Sequence, residues 1–412
     1  MATLPDPLGS VLCENEPKNA TKTKSRLKKN GEFDFSRFPR RRIAILFLYL
    51  GWDYEGLVMQ DHTTNTVEQA ILDAMIKTRM IESKDTAQWS RCGRTDKGVS
   101  GFRQVGSVTV RSTDVDGVGV FWPDDAPADE QRVKSTNEMK FDTILNNVLP
   151  SNIRVIAWAP AKREFNARFE CTSRSYMYLF PRGRLNITAM QLALDALVGS
   201  HDFRNFCRID MNENRLEASY VREIFNARLT PVDPVAESSP YQMIQLQIKG
   251  SGFLWHQIRC IVTLVHEIGL GNEEPSLITK LLDVQSTPAK PQYAMARDMP
   301  LCFFDASYTD GIFDWKSSVN ADTIRRLYVH LQQQWCEFAT KAAIVRSMMT
   351  ELKSFDDQMS TDVCDGLEQH IRGAPSKTHI PILKRPTCDS LETKIAKFTK
   401  KRRVEEHVQL DK

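Results

Sequence analysis

The densest chemistry in the chain lies in Arg91-Cys92-Gly93-Arg94-Thr95-Asp96-Lys97-Gly98-Val99-Ser100. Two glycines frame a carboxylate, Asp96, with Arg94 and Lys97 beside it. A carboxylate kept ionised by adjacent cations can serve as a nucleophile. The tetrapeptide Thr95-Asp96-Lys97-Gly98 is also ordinary turn chemistry, in which the aspartate bonds its own backbone. Gly93 and Gly98 have the spacing of a nucleotide-binding P-loop, but Val99 stands where the phosphate-reaching lysine would be. Nucleotide hydrolysis is therefore a poor fit.

A second cluster is Phe165-Asn166-Ala167-Arg168, followed by Arg174-Ser175-Tyr176-Met177-Tyr178. Side chains alternate along a strand, so Arg174, Tyr176 and Tyr178 share one face of it. A cation beside phenols suits stacking on a base and contact with its phosphate. The plainer alternative is an aromatic strand face packed into the fold. A third cluster is Gly252-Phe253-Leu254-Trp255-His256-Gln257-Ile258-Arg259. Arg259 neighbours an apolar helical stripe, either as a snorkelling rim residue or as the partner of a carboxylate. His256 has no metal-binding companion and reads as structural or RNA-facing. The nine cysteines are scattered, with no CxxC pair and none near a His-x-x-x-His element. A structural zinc site and a disulfide framework are both poorly supported, and reduced thiols fit better.

These clusters need elements to position them. The apolar run 43–50 has the length of a buried strand. Thr66-Val67-Glu68-Gln69 matches a capping box, with Thr66 as N-cap and Gln69 three residues on. Val67, Ala70, Ile71, Ala74 and Met75 then recur at helical spacing. Ile244, Leu246 and Ile248 alternate with glutamines as a half-buried strand would. Ile258, Ile261, Val262 and Val265 form a helical stripe that runs out at Gly269 and Gly271. A helix from about Asp322 carries Ile324, Leu327, Tyr328, Leu331, Trp335 and Phe338 on one side, and the pattern fades after Met349. Clean alternations with long, variable gaps argue for α+β with antiparallel sheets.

A length of 412 residues is a soft prior of roughly two or three domains. The expected organisation is a basic tail, mostly disordered, over 1–40 and an α+β half over 41–150. A second half over 151–310, a helical extension over 311–349 and a polar, basic tail over 350–412 follow. The longest apolar run has about eight residues where a membrane span needs about twenty, and no secretory signal is evident. Net charge is only +3, but its distribution is uneven. Residues 18–42 hold ten Lys/Arg against two acids, and 384–403 hold eight against two. The loop 113–130 has six acids and no base. Basic flanks suit a polyanion, and Lys400-Lys401-Arg402-Arg403 suits nuclear import equally well.

In this order, the clusters resemble the TruA family of tRNA pseudouridine synthases. The matching blocks are G-R-T-D-K-G-V at 93–99, F-x-A-R and R-x-Y over 165–176, and G-x-G-F-L…R over 250–259. Lys290-Pro291-Gln292-Tyr293 points to the eukaryotic branch acting on tRNA positions 38 and 39. The resemblance spans about residues 37 to 308; Leu57, Gly101 and Phe253 depart from that branch. It implies two similar α+β halves whose antiparallel or mixed sheets join into a central sheet, with helices outside and the active cleft between. It also implies uridine isomerisation in tRNA without cofactor or metal, by a homodimer; the expected location, from the basic run, is nucleus and cytoplasm. By similarity Asp96 is the nucleophile, Tyr176 stacks on the target uracil and helps remove the C5 proton, and Arg259 pairs with Asp96. Arg94 fills the space of the extruded base, with Lys97, Arg168, Arg174, Tyr178 and Phe253 around the substrate. The alternatives are a synthase for other tRNA positions or RNAs, and a catalytically silent tRNA-binding protein.

Overall fold

The apolar run seen in the sequence becomes β1 (Arg40–Tyr49), buried on both faces because core packs against each. Ile43, Ile45 and Phe47 face one apolar cluster, and Ala44 and Leu46 face another. The computed structural model describes residues 33–124, 126–129, 132–210, 219–233, 239–313, 315, 319–355, 363–372 and 378–410, with side chains as far as 400. Most of the expected 1–40 tail lies outside these residues.

The other strands are β2 (Ser90–Arg91), β3 (Ser100–Arg111), β4 (Val120–Phe121), β5 (Ile153–Pro160) and β6 (Cys171–Pro181). They continue with β7 (Gly199–Asp202), β8 (Val221–Pro231), β9 (Met243–Gly250) and β10 (Leu301–Tyr308). One sheet runs β4-β1-β3-β10-β6-β9-β8-β7, with β5 also on β1 and β2 also on β3. Its pairings are antiparallel except β3 with β10, where Ser100 faces Cys302 and Gly101 faces Phe303. That short parallel contact joins strands β1–β5 to strands β6–β10, while β5, in the second half by sequence, pairs with β1 of the first. The architecture is α+β with a mixed central sheet, as the resemblance implies.

The helices are α1 (Val67–Lys77), α2 (Phe141–Asn146), α3 (Ile187–Asp195), α4 (Gln257–Gly269), α5 (Ser276–Leu282), α6 (Ala321–Leu352), α7 (Asp365–Arg372) and α8 (Leu391–Leu410). At α1 only half of the expected capping box forms. Thr66 Oγ1 accepts from the Gln69 amide at 3.3 Å, while the Gln69 side chain turns to Asp73 at 2.7 Å. Helix α4 buries every residue except Arg259. Its core-side neighbours include Ile244, Leu246 and Ile248 of β9, the alternation seen in sequence.

Three features depart from expectation. Arg41 and Arg42, counted in the basic flank, are buried. Arg42 donates to the carbonyls of Phe165 and Gln88 and to Ser107 Oγ, and burial lowers it to about 10. Arg41 pairs with Glu138 at 2.9 Å and with Asp114 of the acidic loop at 3.5 Å. The face of α6 stays largely uncovered: only Thr323 and Leu327 are buried, and Trp335 is 69% exposed. Finally, part of the polar tail docks on the body. Ile371 and Ile382 are buried, and Thr387 bridges to Pro291. Single apolar anchors this far apart leave no periodic trace to read.

Candidate active site

Asp96 sits in the loop between β2 and β3, and that loop is fixed at many points. Gly93 and the Gln104 amide exchange hydrogen bonds at 3.0 and 3.3 Å. Thr95 Oγ1 lies 2.8 Å from the Tyr49 hydroxyl, and the Thr95 carbonyl accepts from Leu57 N at 3.2 Å. Gly98 turns the chain at φ +76°, a conformation that favours glycine. Gly51 lets the backbone at Val99 approach so closely that any Cβ there would collide with its carbonyl. Val99 N bonds back to the Asp96 carbonyl at 3.2 Å, so the turn closes through the main chain. The Asp96 carboxylate is left over, one third exposed, and points to a cleft instead of capping its own turn.

That cleft has a volume of about 1100 Å³. It brings together the three sequence blocks: Arg94, Asp96 and Lys97, then Arg168, Arg174 and Tyr176, then Phe253 and Arg259 all line it. Seven Lys/Arg side chains (Arg91, Arg94, Lys97, Arg168, Arg174, Arg222, Arg259) face four acids (Glu55, Asp96, Asp210, Asp298) in its wall. The excess of cations suits an anionic substrate. Among the described residues no three His, Cys, Asp or Glu side chains gather into a group that could hold a metal.

Tyr178 does not reach the cleft. It shares the strand face with Tyr176 but lies one pleat repeat along, fully buried, with its hydroxyl donating to the Arg297 carbonyl at 3.1 Å. It is a core residue here, as the plainer reading of that face allowed. Tyr176 packs edge-on against Phe253 and Phe303, with centroids 5.2 and 5.3 Å away. Burial pushes its phenol well above the usual tyrosine range, and the Asp96 carboxylate adds to the shift. The phenol is therefore protonated at neutral pH.

Arg174 acts differently from expectation. Its guanidinium donates to the carbonyls of Ser251 (3.0 Å), Cys92 (3.0 Å) and Arg168 (2.9 Å). These three carbonyls belong to the three sequence blocks, so one side chain ties the walls of the cleft together. The expected Asp96–Arg259 pair is not formed. Arg259 Nε donates to the Ala296 carbonyl at 2.7 Å, and its Nη2 lies 4.0 Å from Asp298. Asp96 Oδ2 instead lies 3.2 Å from His256 Nε2. Lys97 is drawn to Glu55 at 2.7 Å.

Sequence reasoning missed Asp298, which looks like any turn acid before a strand, and Glu68. Glu68 is wholly buried behind the cleft, where it meets Arg91, the Trp89 indole and Met59 N. Its position in the first turn of α1 marked it only as a helix-start acid.

A family model described as tRNA pseudouridine synthase matches residues 193–309. A probable tRNA pseudouridine synthase from Caenorhabditis elegans is 43% identical over 96% of this chain and 98% of its own length. The chain belongs to the tRNA pseudouridine synthase family. The tRNA pseudouridine(38/39) synthases of Homo sapiens and Saccharomyces cerevisiae are 35% and 33% identical over 90% and 92% of the chain. The chain covers 80% and 83% of their lengths. This family membership takes in both halves of the sheet, and with them all three blocks around the cleft. No helix among the described residues is long and apolar enough to cross a membrane.

Proposed function

We propose that this protein isomerises uridine to pseudouridine in tRNA at positions 38 and 39, with Asp96 as the nucleophile. The observation that carries the reading is the cationic cleft in which three distant sequence blocks converge around the partly exposed Asp96 carboxylate. The names of the relatives support the two positions. The reaction breaks the C1′–N1 glycosidic bond, rotates the uracil and forms a C1′–C5 bond, so no atom is gained or lost overall. Asp96 forms the covalent adduct that keeps base or sugar in place during the rotation. Tyr176 stacks on the uracil with its phenol protonated. A neutral phenol can take the C5 proton only by giving up its own in the same step, so any role there is a relay and not that of a standing phenolate. Arg94, exposed at the cleft mouth, stacks into the gap left by the flipped base, which offsets part of a flipping cost of a few kcal/mol. Lys97 and Arg168 face phosphates, Phe253 buttresses Tyr176, and Arg259 lines the cleft beside Asp298.

The exposed apolar side chains of α6, Tyr328, Trp335 and Met348 among them, support pairing with a second copy. The basic run Lys400-Lys401-Arg402-Arg403 supports a nuclear as well as a cytoplasmic location. The test is single-site pseudouridine mapping on unmodified tRNA transcripts, with chelator present and no cofactor added. Pseudouridine confined to positions 38 and 39, and lost with Asp96→Ala, is the expected result. Product at other positions overturns the site assignment. Tight tRNA binding without product overturns the activity.

A further inference from the structure

His256 departs from ordinary behaviour in three ways at once. It occupies the N-cap position of α4, where Ser, Thr, Asp and Asn are favoured, yet its side chain makes no capping bond. Its backbone is left-handed, at φ 63° and ψ 11°, a region that β-carbon residues seldom enter. Its Nδ1 is buried with no hydrogen-bond partner among the described residues. Neither helix capping nor backbone economy explains a histidine here, since glycine or asparagine would suit the turn better.

The contact that accompanies all three is to Asp96. Nε2 lies 3.2 Å from Asp96 Oδ2, and the imidazole is nearly enclosed. The Trp255 ring lies against it at 4.5 Å, and the Arg208 guanidinium covers Trp255 at 5.1 Å. These neighbours fix the plane of the ring. The tautomer follows from the two nitrogens. A proton on Nδ1 would bury a donor without an acceptor and turn the Nε2 lone pair toward a carboxylate. A proton on Nε2 alone faces the carboxylate and leaves Nδ1 a bare acceptor, the smaller of the two costs.

We infer that His256 is a positioning residue for Asp96: its Nε2, 3.2 Å from Oδ2, is the polar contact that holds the carboxylate toward the cleft. The inference rests on the reading of Asp96 as nucleophile. It also accounts for Arg259 being engaged elsewhere, because the carboxylate already has a donor.

His256→Gly relieves the left-handed backbone and removes the donor, so it separates the two roles. The expected result is a melting temperature at or above wild type and unchanged tRNA affinity. The single-turnover rate should be lower by about 10- to 100-fold, the range associated with a hydrogen bond to a charged group. His256→Gln, whose amide N–H has similar reach, should recover at least severalfold over His256→Gly. If His256→Gly does not fold, His256→Leu replaces it, with the same backbone strain and no donor. A glycine variant at the wild-type rate overturns the inference, and so does a glutamine variant no faster than the variant lacking the donor. Asp96→Ala in the same assay distinguishes the failures. Residual turnover there removes the nucleophile reading and the inference with it. A dead Asp96→Ala beside a wild-type-rate His256→Gly removes only the inference.

Discussion

At Asp96 the question is what a single side chain contributes once everything around it is in place. The loop is held by its main chain and by Thr95, Gly93 and Gly98, so removing the carboxylate leaves its architecture intact. Asp96→Asn should therefore abolish turnover while tRNA affinity, spread over many phosphates, stays within about threefold; filter binding beside single-turnover kinetics checks both halves. Tyr176 gives a sharper test, because its phenol is held protonated by burial. If a phenolate took the C5 proton, the rate would climb about tenfold per pH unit all the way up to the pKa, because the phenolate fraction does. With the folded value raised, the neutral form predominates throughout, and a relay through it gives no such climb. The wild-type rate should show no rise between about pH 8 and 10 that Tyr176→Phe abolishes, and parallel pH profiles of the two proteins measure this. The residue types at this site were legible in the sequence, because cation-flanked Asp96 and the Arg174–Tyr176 spacing are local signals. The pairing of the charges was not. Whether Asp96 meets His256 or Arg259 depends on where the Ala296 carbonyl lies, some forty residues further along the chain.

Strands and helices decide which of those residues reach the cleft. Arg174, Tyr176 and Tyr178 do share a face, as alternation requires. Their surroundings change along the strand, since the segment carrying Arg297 covers the Tyr178 end and leaves the Tyr176 end open. Period-two reasoning assigns a face and says nothing about what lies over it. The same distinction separates α4 from α6. Both show an apolar stripe, but α4 is enclosed by the sheet and its neighbours, whereas α6 leaves its stripe exposed. Arg174 is where element geometry can be probed directly. Its planar fork reaches three carbonyls on three segments, and a lysine ammonium cannot span them. Arg174→Lys should lower unfolding free energy by about 2–3 kcal/mol, as charged hydrogen bonds are lost from two partly buried carbonyls and one exposed one. It should also slow turnover without changing the charge of the cleft. Urea unfolding gives the first quantity, and comparison with Lys84→Arg, a swap at a side chain paired with Asp73 outside the cleft, controls for the second.

For the whole molecule, the open question is how much of the tRNA grip lies outside the cleft. Counting lysines and arginines near the ends overstates the case, because Arg41 and Arg42 are held inside the fold and Lys397 is paired with Asp389. The docked stretch through Cys388, whose amide bonds the Lys290 carbonyl, belongs to the body and must be kept in any truncation. Removing 1–34 and 391–412 respects these limits and takes away six and seven Lys/Arg side chains respectively. Each phosphate neutralised contributes about 0.7 to 0.9 to the slope of log affinity against log salt. If even half of the removed cations meet phosphates, the slope should become shallower by about 4 to 6. The cleft, with its own excess of cations, should keep a measurable slope and a catalytic rate near wild type. Titrations of full-length and truncated protein across a salt series decide it: equal slopes would confine tRNA recognition to the folded body.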